Sequence, residues 1–287
     1  MSGLRLIGGG TVKVIAAVNG QVTAEVSALY SLHYAKLFKS PVTLLHVVNP
    51  KDSIGAVEKS MENIEGIAGE QGVVTERVVL EGEPVESVRR YLIENKADIV
   101  FCSTRYRQQK KHFDRSFNEK LTSMVLPADV AVVRVVHVHS TMSTEKIILP
   151  IKEDRLSVEK FTFFASMVKA YNASGEIYSV SVMGRKKKAN MDLGDTRRLI
   201  QKIDEHLSHY GQLARLMDVR LRLKHSITLN EVDQVLHHLS HTDFHLMIVG
   251  GARLSAYSSF MKPKPIERLL RNTPVNTIAF FHRSDPR

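Results

Sequence analysis

Short apolar runs alternate with helical segments, and the whole alternation occurs twice; this repeat most constrains the fold. Between these runs, apolar residues recur every three or four positions, as they do from Thr23 to Phe38, which is typical of a helix. Continuous apolar strands that alternate with helices predict a parallel sheet covered on both faces. The first half has five strand-like runs, which are Val12–Val18, Val42–Val48, Val73–Leu80, Ile99–Ser103 and Val130–Val136.

The second half repeats the same order of elements. Its strand-like runs are Lys146–Ile151, Glu176–Val182, Val219–His225, Phe244–Val249 and Val275–Phe281. Each half also ends on a related helix and strand, which begin at Glu119-Lys120-Leu121 and at Glu267-Arg268-Leu269. A repeat in 287 residues predicts two tandem doubly wound α/β domains. We expect a flexible lead-in at 1–10, domains at 11–138 and 145–283, and a polar linker at 139–144.

Composition narrows the classes of protein. Cys102 is the only cysteine, so no intrachain disulfide is possible, which fits a reducing compartment. No apolar run approaches the roughly 18 residues that span a bilayer, and the first ten residues lack the apolar stretch of a secretory signal. We therefore expect a cytoplasmic protein. The net charge of +10 is compatible with binding to nucleic acid, to an acidic membrane surface or to small anions. The sequence has no basic stretch with interleaved aromatic residues, which disfavours a protein dedicated to binding single-stranded nucleic acid.

Three segments match a known pattern. Val14–Leu29 reads as an opening strand and helix, Leu44–Val48 as a second strand, and Pro265–Ile278 as a last helix and strand. Together they resemble the universal stress protein family over nearly the whole chain. The resemblance implies Rossmann-like domains of the adenine nucleotide alpha hydrolase type with strand order 3-2-1-4-5. It also implies stress-linked expression, pairing through the fifth strands, and a nucleotide site in some members.

The resemblance implies where a nucleotide would bind in the first half. ATP-binding members carry an Asp after the first strand and the pattern Gly-x-x-Gly, nine residues, Gly-Ser/Thr, in which glycines admit phosphates close to the backbone. Asn19 replaces the Asp and can still hydrogen-bond a sugar. The other candidate contacts, with all three glycines replaced, are Val47, Cys102, Arg105, Arg115 and Ser116.

The second half keeps one glycine of the pattern. Lys152 replaces the Asp, and Pro263 removes an amide donor. The spacing places the remaining candidates at Gly250 with Gly251 beside it, Arg253 and Lys264. A residue forced into a left-handed conformation costs about 1–2 kcal/mol, and a lost charge-assisted hydrogen bond about 1.5–3 kcal/mol. We therefore expect degenerate sites that bind ATP or another adenine nucleotide weakly or not at all. The alternatives are another anion held by the basic loop Arg105–Arg115, and an empty crevice.

Three other features of the sequence could indicate a site, namely a group of histidines, the single cysteine and a run of basic residues. His237, His238, His241 and His245 have the spacing of metal ligands, but the helix that carries the first of them ends near Ser240, so we expect no metal. Cys102 is expected to be a small core residue, with a redox role as the alternative. The basic run Arg185–Lys188 is expected to be a solvated loop, with nucleic-acid or lipid-headgroup contact as the alternative.

The sequence favours a protein that acts by binding. No Ser-His-Asp or Cys-His order suggests a nucleophile, so we expect a non-enzymatic stress-response protein; an ATP-hydrolysing switch is disfavoured by the missing glycines. The alternative is a regulatory nucleotide- or anion-binding partner of a membrane transporter. The expected partner is a small anionic ligand. We also expect the two domains of the chain to pair with each other as a pseudo-dimer. A homodimer is the alternative arrangement, and no nucleic acid is expected.

Overall fold

The computed structural model describes residues 11–49, 52–104, 117–152, 157–251 and 265–283. These residues form two compact units. The first unit contains the described residues up to Met142, together with 250–251 and 278–283. The second contains 143–249 and 265–277, again within the described part. The last strand is therefore divided between the units.

The first unit is a parallel sheet with strand order β3-β2-β1-β4-β5. This is the order that the resemblance implies. Its strands are β1 (Val14–Ala17), β2 (Val42–Val47), β3 (Thr75–Leu80), β4 (Ile99–Ser103) and β5 (Asp129–Arg134). Its helices are α1 (Val22–Leu37), α2 (Ile54–Gln71), α3 (Pro84–Glu94) and α4 (Phe117–Ser123).

The second half of the chain repeats the topology as β8-β7-β6-β9-β10. The β6–β7, β7–β8 and β6–β9 pairings are parallel. Its strands are β6 (Lys146–Lys152), β7 (Ser174–Val182), β8 (Leu221–Thr228), β9 (Leu246–Gly250) and β10 (Asn276–Phe281). Its helices are α5 (Val158–Ala170), α6 (Arg185–Ala189), α7 (Leu193–Leu216), α8 (Glu231–Ser240) and α9 (Pro265–Asn272). The predicted α/β class and tandem arrangement are confirmed.

Local signals fix the helix ends. Glu83 caps α3 by accepting a hydrogen bond from the Glu86 amide at 2.8 Å, and Pro84 occupies its first position. Gly72 ends α2 in the left-handed conformation, with a φ of 70°. The sequence indicates both the start of α3 and the end of α2.

Two segments differ from the sequence-based expectations. The run Arg185–Lys188 lies in the short helix α6 and not in a loop, because Arg, Lys and Ala are good helix formers and Gly184 precedes them in an extended conformation. The segment His139–Thr141 forms a 3-10 turn, and Thr141 and Thr144 are buried. These two threonines of the expected polar linker are therefore packed against the protein.

Residues 278–283 complete the first unit. The Asp129 carboxylate accepts a hydrogen bond from the Arg283 amide at 2.7 Å and lies 2.9 Å from the His282 imidazole. The Arg283 guanidinium also lies 3.4 Å from the Asp98 carboxylate. Asp129 is buried, so these partners satisfy a carboxylate that would otherwise be costly to bury.

Candidate functional site

The carboxyl ends of β1 and β4 form the topological switch point of the first unit. Strand β1 pairs with β2 on one side and with β4 on the other. Open α/β sheets bind ligands in the crevice beside such a point. Here the Ser103 hydroxyl, at the end of β4, donates to the Thr23 hydroxyl in the first turn of α1 at 3.4 Å. The two elements that border the crevice therefore meet through hydroxyl groups.

Asn19 lies between β1 and α1. Its Oδ1 accepts a hydrogen bond from the Gln21 amide at 3.2 Å, so this oxygen shapes the turn that leads into the helix. The next residue, Gly20, has a φ of 74° and lies against the backbone of α2. Asn19 is half-buried. An oxygen already engaged by the backbone is a weaker acceptor for a ribose hydroxyl than a free carboxylate would be.

Val47 and Cys102, two further predicted ligand contacts of the first unit, differ in how deeply they are buried. Val47 ends β2 and is half-buried. Cys102 is buried in β4, and this burial raises the pKa of its thiol to about 12. At neutral pH the thiol is therefore protonated and is not a nucleophile. Its position fits the core residue that the sequence predicts.

Asn118 is a site residue that the sequence did not reveal. Its Nδ2 donates to the Ser103 carbonyl at 2.8 Å, which fixes the orientation of the amide. Its Oδ1 is buried and accepts no hydrogen bond from the residues that the structure describes. A buried acceptor without a donor is costly in a native protein, so this atom has capacity to accept a hydrogen bond at the end of β4. The only signal in the sequence is a polar residue in the first turn of the short helix that follows β4.

The remaining first-half candidates, Arg105, Arg115 and Ser116, lie outside the described residues, as do Arg253, Pro263 and Lys264 of the second half. The described second-half candidates fall in different units. Lys152 belongs to the second unit, whereas Gly250 and Gly251 group with the first.

Lys152 ends β6, at the position where the family pattern has an Asp. Its ammonium lies 3.0 Å from the Glu231 carboxylate in the first turn of α8. Glu231 also follows the cap residue Asn230, whose side chain accepts from the first amides of that helix. The ion pair therefore engages both groups, and a phosphate bound by Lys152 would compete with Glu231.

Gly251 serves packing. A Cβ at this residue would lie 2.2 Å from an atom of the Phe281 ring, and its amide donates to the Phe280 carbonyl at 2.7 Å. The ring thus fills the space that a side chain would take. The glycine is required by Phe281, and the same space is not open to a phosphate.

The four histidines of the second half separate. His238 is buried and its Nε2 lies 2.6 Å from the Glu176 carboxylate, with its ring stacked on Tyr178. His241 turns back to the His237 carbonyl at 2.8 Å. Among the residues that the structure describes, no three His, Cys, Asp or Glu side chains form a group that could hold a metal ion. In the same part of the chain no helix is long and apolar enough to cross a membrane.

Solved structures share this fold across the chain. A universal stress protein of Archaeoglobus fulgidus DSM 4304 aligns with a TM-score of 0.61 at 14% identity, covering 95% of this chain and 98% of that one. A candidate universal stress protein of Pseudomonas aeruginosa UCBPP-PA14 aligns with a TM-score of 0.63 at 10% identity, covering 95% and 94%. The cytoplasmic domain of a prokaryotic cation chloride cotransporter aligns with a TM-score of 0.59 at 12% identity, covering 95% and 96%.

At these identities the likeness establishes the fold. No family model and no curated protein matches the sequence.

Proposed function

We propose that this chain, which has the fold of universal stress proteins, is a non-enzymatic cytoplasmic stress-response protein that acts by binding a small ligand in its first unit. The observation that carries the proposal is Asn118 Oδ1, a buried acceptor beside the switch point for which the described residues provide no donor. A ribose hydroxyl or an adenine amine supplies such a donor. An adenine nucleotide is therefore the first ligand to test.

The two halves are not equivalent in this proposal. In the first unit, Ser103, Thr23 and Asn118 meet at the crevice. In the second half, Lys152 is paired with Glu231, and the space beside Gly251 is filled by Phe281. We assign ligand binding to the crevice of the first unit, and a structural role to the described candidate positions of the second half of the chain. The predicted contacts at Arg253 and Lys264 stay predictions.

Titration calorimetry with MgATP tests the assignment. We expect a dissociation constant weaker than about 10 μM, equivalent to roughly −7 kcal/mol, because the glycine positions carry other residues. Asn118→Leu should abolish the binding, because Leu offers no acceptor. Lys152→Ala is the matched control in the second unit and should leave the affinity unchanged. Equal affinity in wild type and Asn118→Leu would contradict the site.

The basic loop gives a second measurement. Replacing Arg105 and Arg115 with Gly should raise the ATP affinity if the arginines block the crevice, and should abolish anion binding if they are ligands. Unchanged affinity for ATP, phosphate and cyclic nucleotides would remove this loop from the proposal. Mass spectrometry of small molecules released from the purified native protein identifies a ligand without assuming its chemistry.

A regulatory role beside a membrane transporter is the second candidate function. It is favoured by the likeness of fold to the cytoplasmic domain of a cation chloride cotransporter. A membrane pull-down at physiological salt, with vesicles of the same lipids as control, separates transporter binding from lipid binding. We also propose that the two halves pair with each other as a pseudo-dimer. Light scattering tests this pairing, since a monomeric mass supports internal pairing and twice that mass supports a homodimer.

A further inference from the structure

Helix α7 is longer than the stripe that it buries. Its 24 residues span about 36 Å at 1.5 Å per residue. The four buried residues all lie between Ile203 and Ala214. None of the first ten residues, 193–202, is buried. We call residues 184–202 the basic arm; it runs from Gly184 through α6 and the short connection 190–192 to the tenth residue of α7.

The basic arm exposes large apolar side chains. Leu193 is 80% exposed and Ile200 is 53% exposed. They are seven residues apart in one helix and therefore lie on the same side of it. Most isolated exposed leucines need no explanation, but two large apolar residues on one helical side continue an apolar stripe beyond the core.

Positive charge is concentrated in the same segment. Residues 184–202 contain seven Lys or Arg residues and two Asp residues, which gives a net charge of +5, half of the chain's +10. Both acids are used locally: Asp192 caps α7 through the Asp195 amide, and Asp195 pairs with Arg198 at 2.6 Å. Arg197 and Lys202 are exposed in the same ten residues of α7.

The fold does not require this charge. The whole connection between β7 and β8, residues 183–220, has nine Lys or Arg residues against five acids, a net charge of +4. The corresponding connection between β2 and β3, residues 48–74, has two Lys residues against five acids, a net charge of −3. Its helix α2 buries Val57, Met61, Ile64 and Ala68, so the buried stripe runs along most of the helix. The connection is thus acidic in one unit, where the buried stripe runs along most of the helix, and basic in the other, where the first ten residues of α7 lie beyond the buried stripe.

We propose that the basic arm binds the surface of an anionic membrane. A helical segment that combines several cations with exposed leucine and isoleucine fits an interface where phosphate headgroups meet acyl chains. A nucleic-acid surface would use the charge but would leave Leu193 and Ile200 in water. The inference does not depend on a ligand in the first unit.

Vesicle co-sedimentation of the full chain tests the proposal. The vesicles are phosphatidylcholine with and without phosphatidylserine, at an ionic strength of about 0.15 M. The chain should bind only the anionic vesicles. Arg197→Gln, Arg198→Gln and Lys202→Gln together should lower the partition coefficient about 100-fold, at roughly fivefold for each cation.

Two further variants make the result specific to the basic arm. Lys36→Gln, Lys59→Gln and Lys120→Gln change the net charge equally at exposed positions of the first unit, and should retain binding within about twofold. Leu193→Ser with Ile200→Ser should lower binding about tenfold, because the apolar contact is lost.

Equal loss in both charge variants would overturn the proposal, since net charge alone would then explain the binding. Binding to duplex nucleic acid without binding to anionic vesicles would also overturn it.

Discussion

Replacing Gly20 with Ala should destabilise the first unit through both backbone strain and overpacking. Gly20 has a φ of 74°, which costs an L-residue about 1–2 kcal/mol. A Cβ there would also lie 2.9 Å from the Val57 amide nitrogen and 3.0 Å from the Ala56 carbonyl carbon. These are backbone atoms of α2, which cannot move aside like a side chain, so overpacking adds about 1–3 kcal/mol. The expected total loss is about 2–5 kcal/mol.

Two other glycines divide this cost into its parts. Gly72 has a φ of 70°, but no atom of the described residues lies within 4 Å of where its Cβ would be. Gly72→Ala should therefore cost only the conformational part, about 1–2 kcal/mol. Gly66 is exposed inside α2, with no described atom near its Cβ position, so Gly66→Ala should stabilise by about 0.5–1 kcal/mol. The difference between Gly20→Ala and Gly72→Ala measures the steric cost alone.

Urea unfolding at 25 °C, followed by circular dichroism, is the assay. The free energies of unfolding should fall in the order Gly66→Ala, wild type, Gly72→Ala, Gly20→Ala. Equal losses for Gly20→Ala and Gly72→Ala would refute the reasoning, because the turn after β1 would then not be packed on α2. The candidate site depends on this packing, since the same turn holds Asn19.

Three other predictions follow from single groups. Burial and Lys36 lower the pKa of His33 to about 4, below the value of about 6.5 in an unfolded chain. The stability that the neutral His33 contributes should therefore be complete above about pH 6.5. It should fall by about 1–2 kcal/mol as the pH drops toward 4, with solvent screening taken into account. His33→Asn should flatten this pH dependence of the free energy of unfolding in urea titrations. Asp129→Ala should cost about 1.5–3 kcal/mol in the same assay, since the Arg283 amide loses a charged acceptor, and a loss below about 0.5 kcal/mol would contradict that. Cys102 should react with a thiol reagent at neutral pH only when urea is present, because burial raises its pKa to about 12.

Local rules decide the parts of the fold that are predictable from the sequence. The continuous apolar strands indicate the parallel sheet, and the resemblance supplies its strand order. The end of α2 at Gln71 follows from a local signal, because Gly72 adopts the left-handed conformation that ends a helix. The helix α6 is missed because a run of cations is interpreted as a solvated loop, although those residues favour helix.

The candidate site is harder to predict because its contacts join residues far apart in the chain. Nothing near Lys152 indicates that Glu231 will pair with it, and nothing near Gly251 indicates that Phe281 will fill its space. The positions of the glycine pattern can therefore be located in the sequence, but the residues that occupy the space around them cannot be predicted from it. Asn118 cannot be identified from the sequence, because its orientation depends on the hydrogen bond from its Nδ2 to the Ser103 carbonyl.

The division of β10 between the units has a consequence for synthesis. The first unit includes residues 278–283, which are translated more than a hundred residues after Met142. At about 5–20 residues per second, the emerging first unit waits on the order of 10 s before Arg283 can satisfy Asp129. During that interval the Asp129 carboxylate lacks its partners from residues 282 and 283, so the first unit cannot be completed until those residues have been translated.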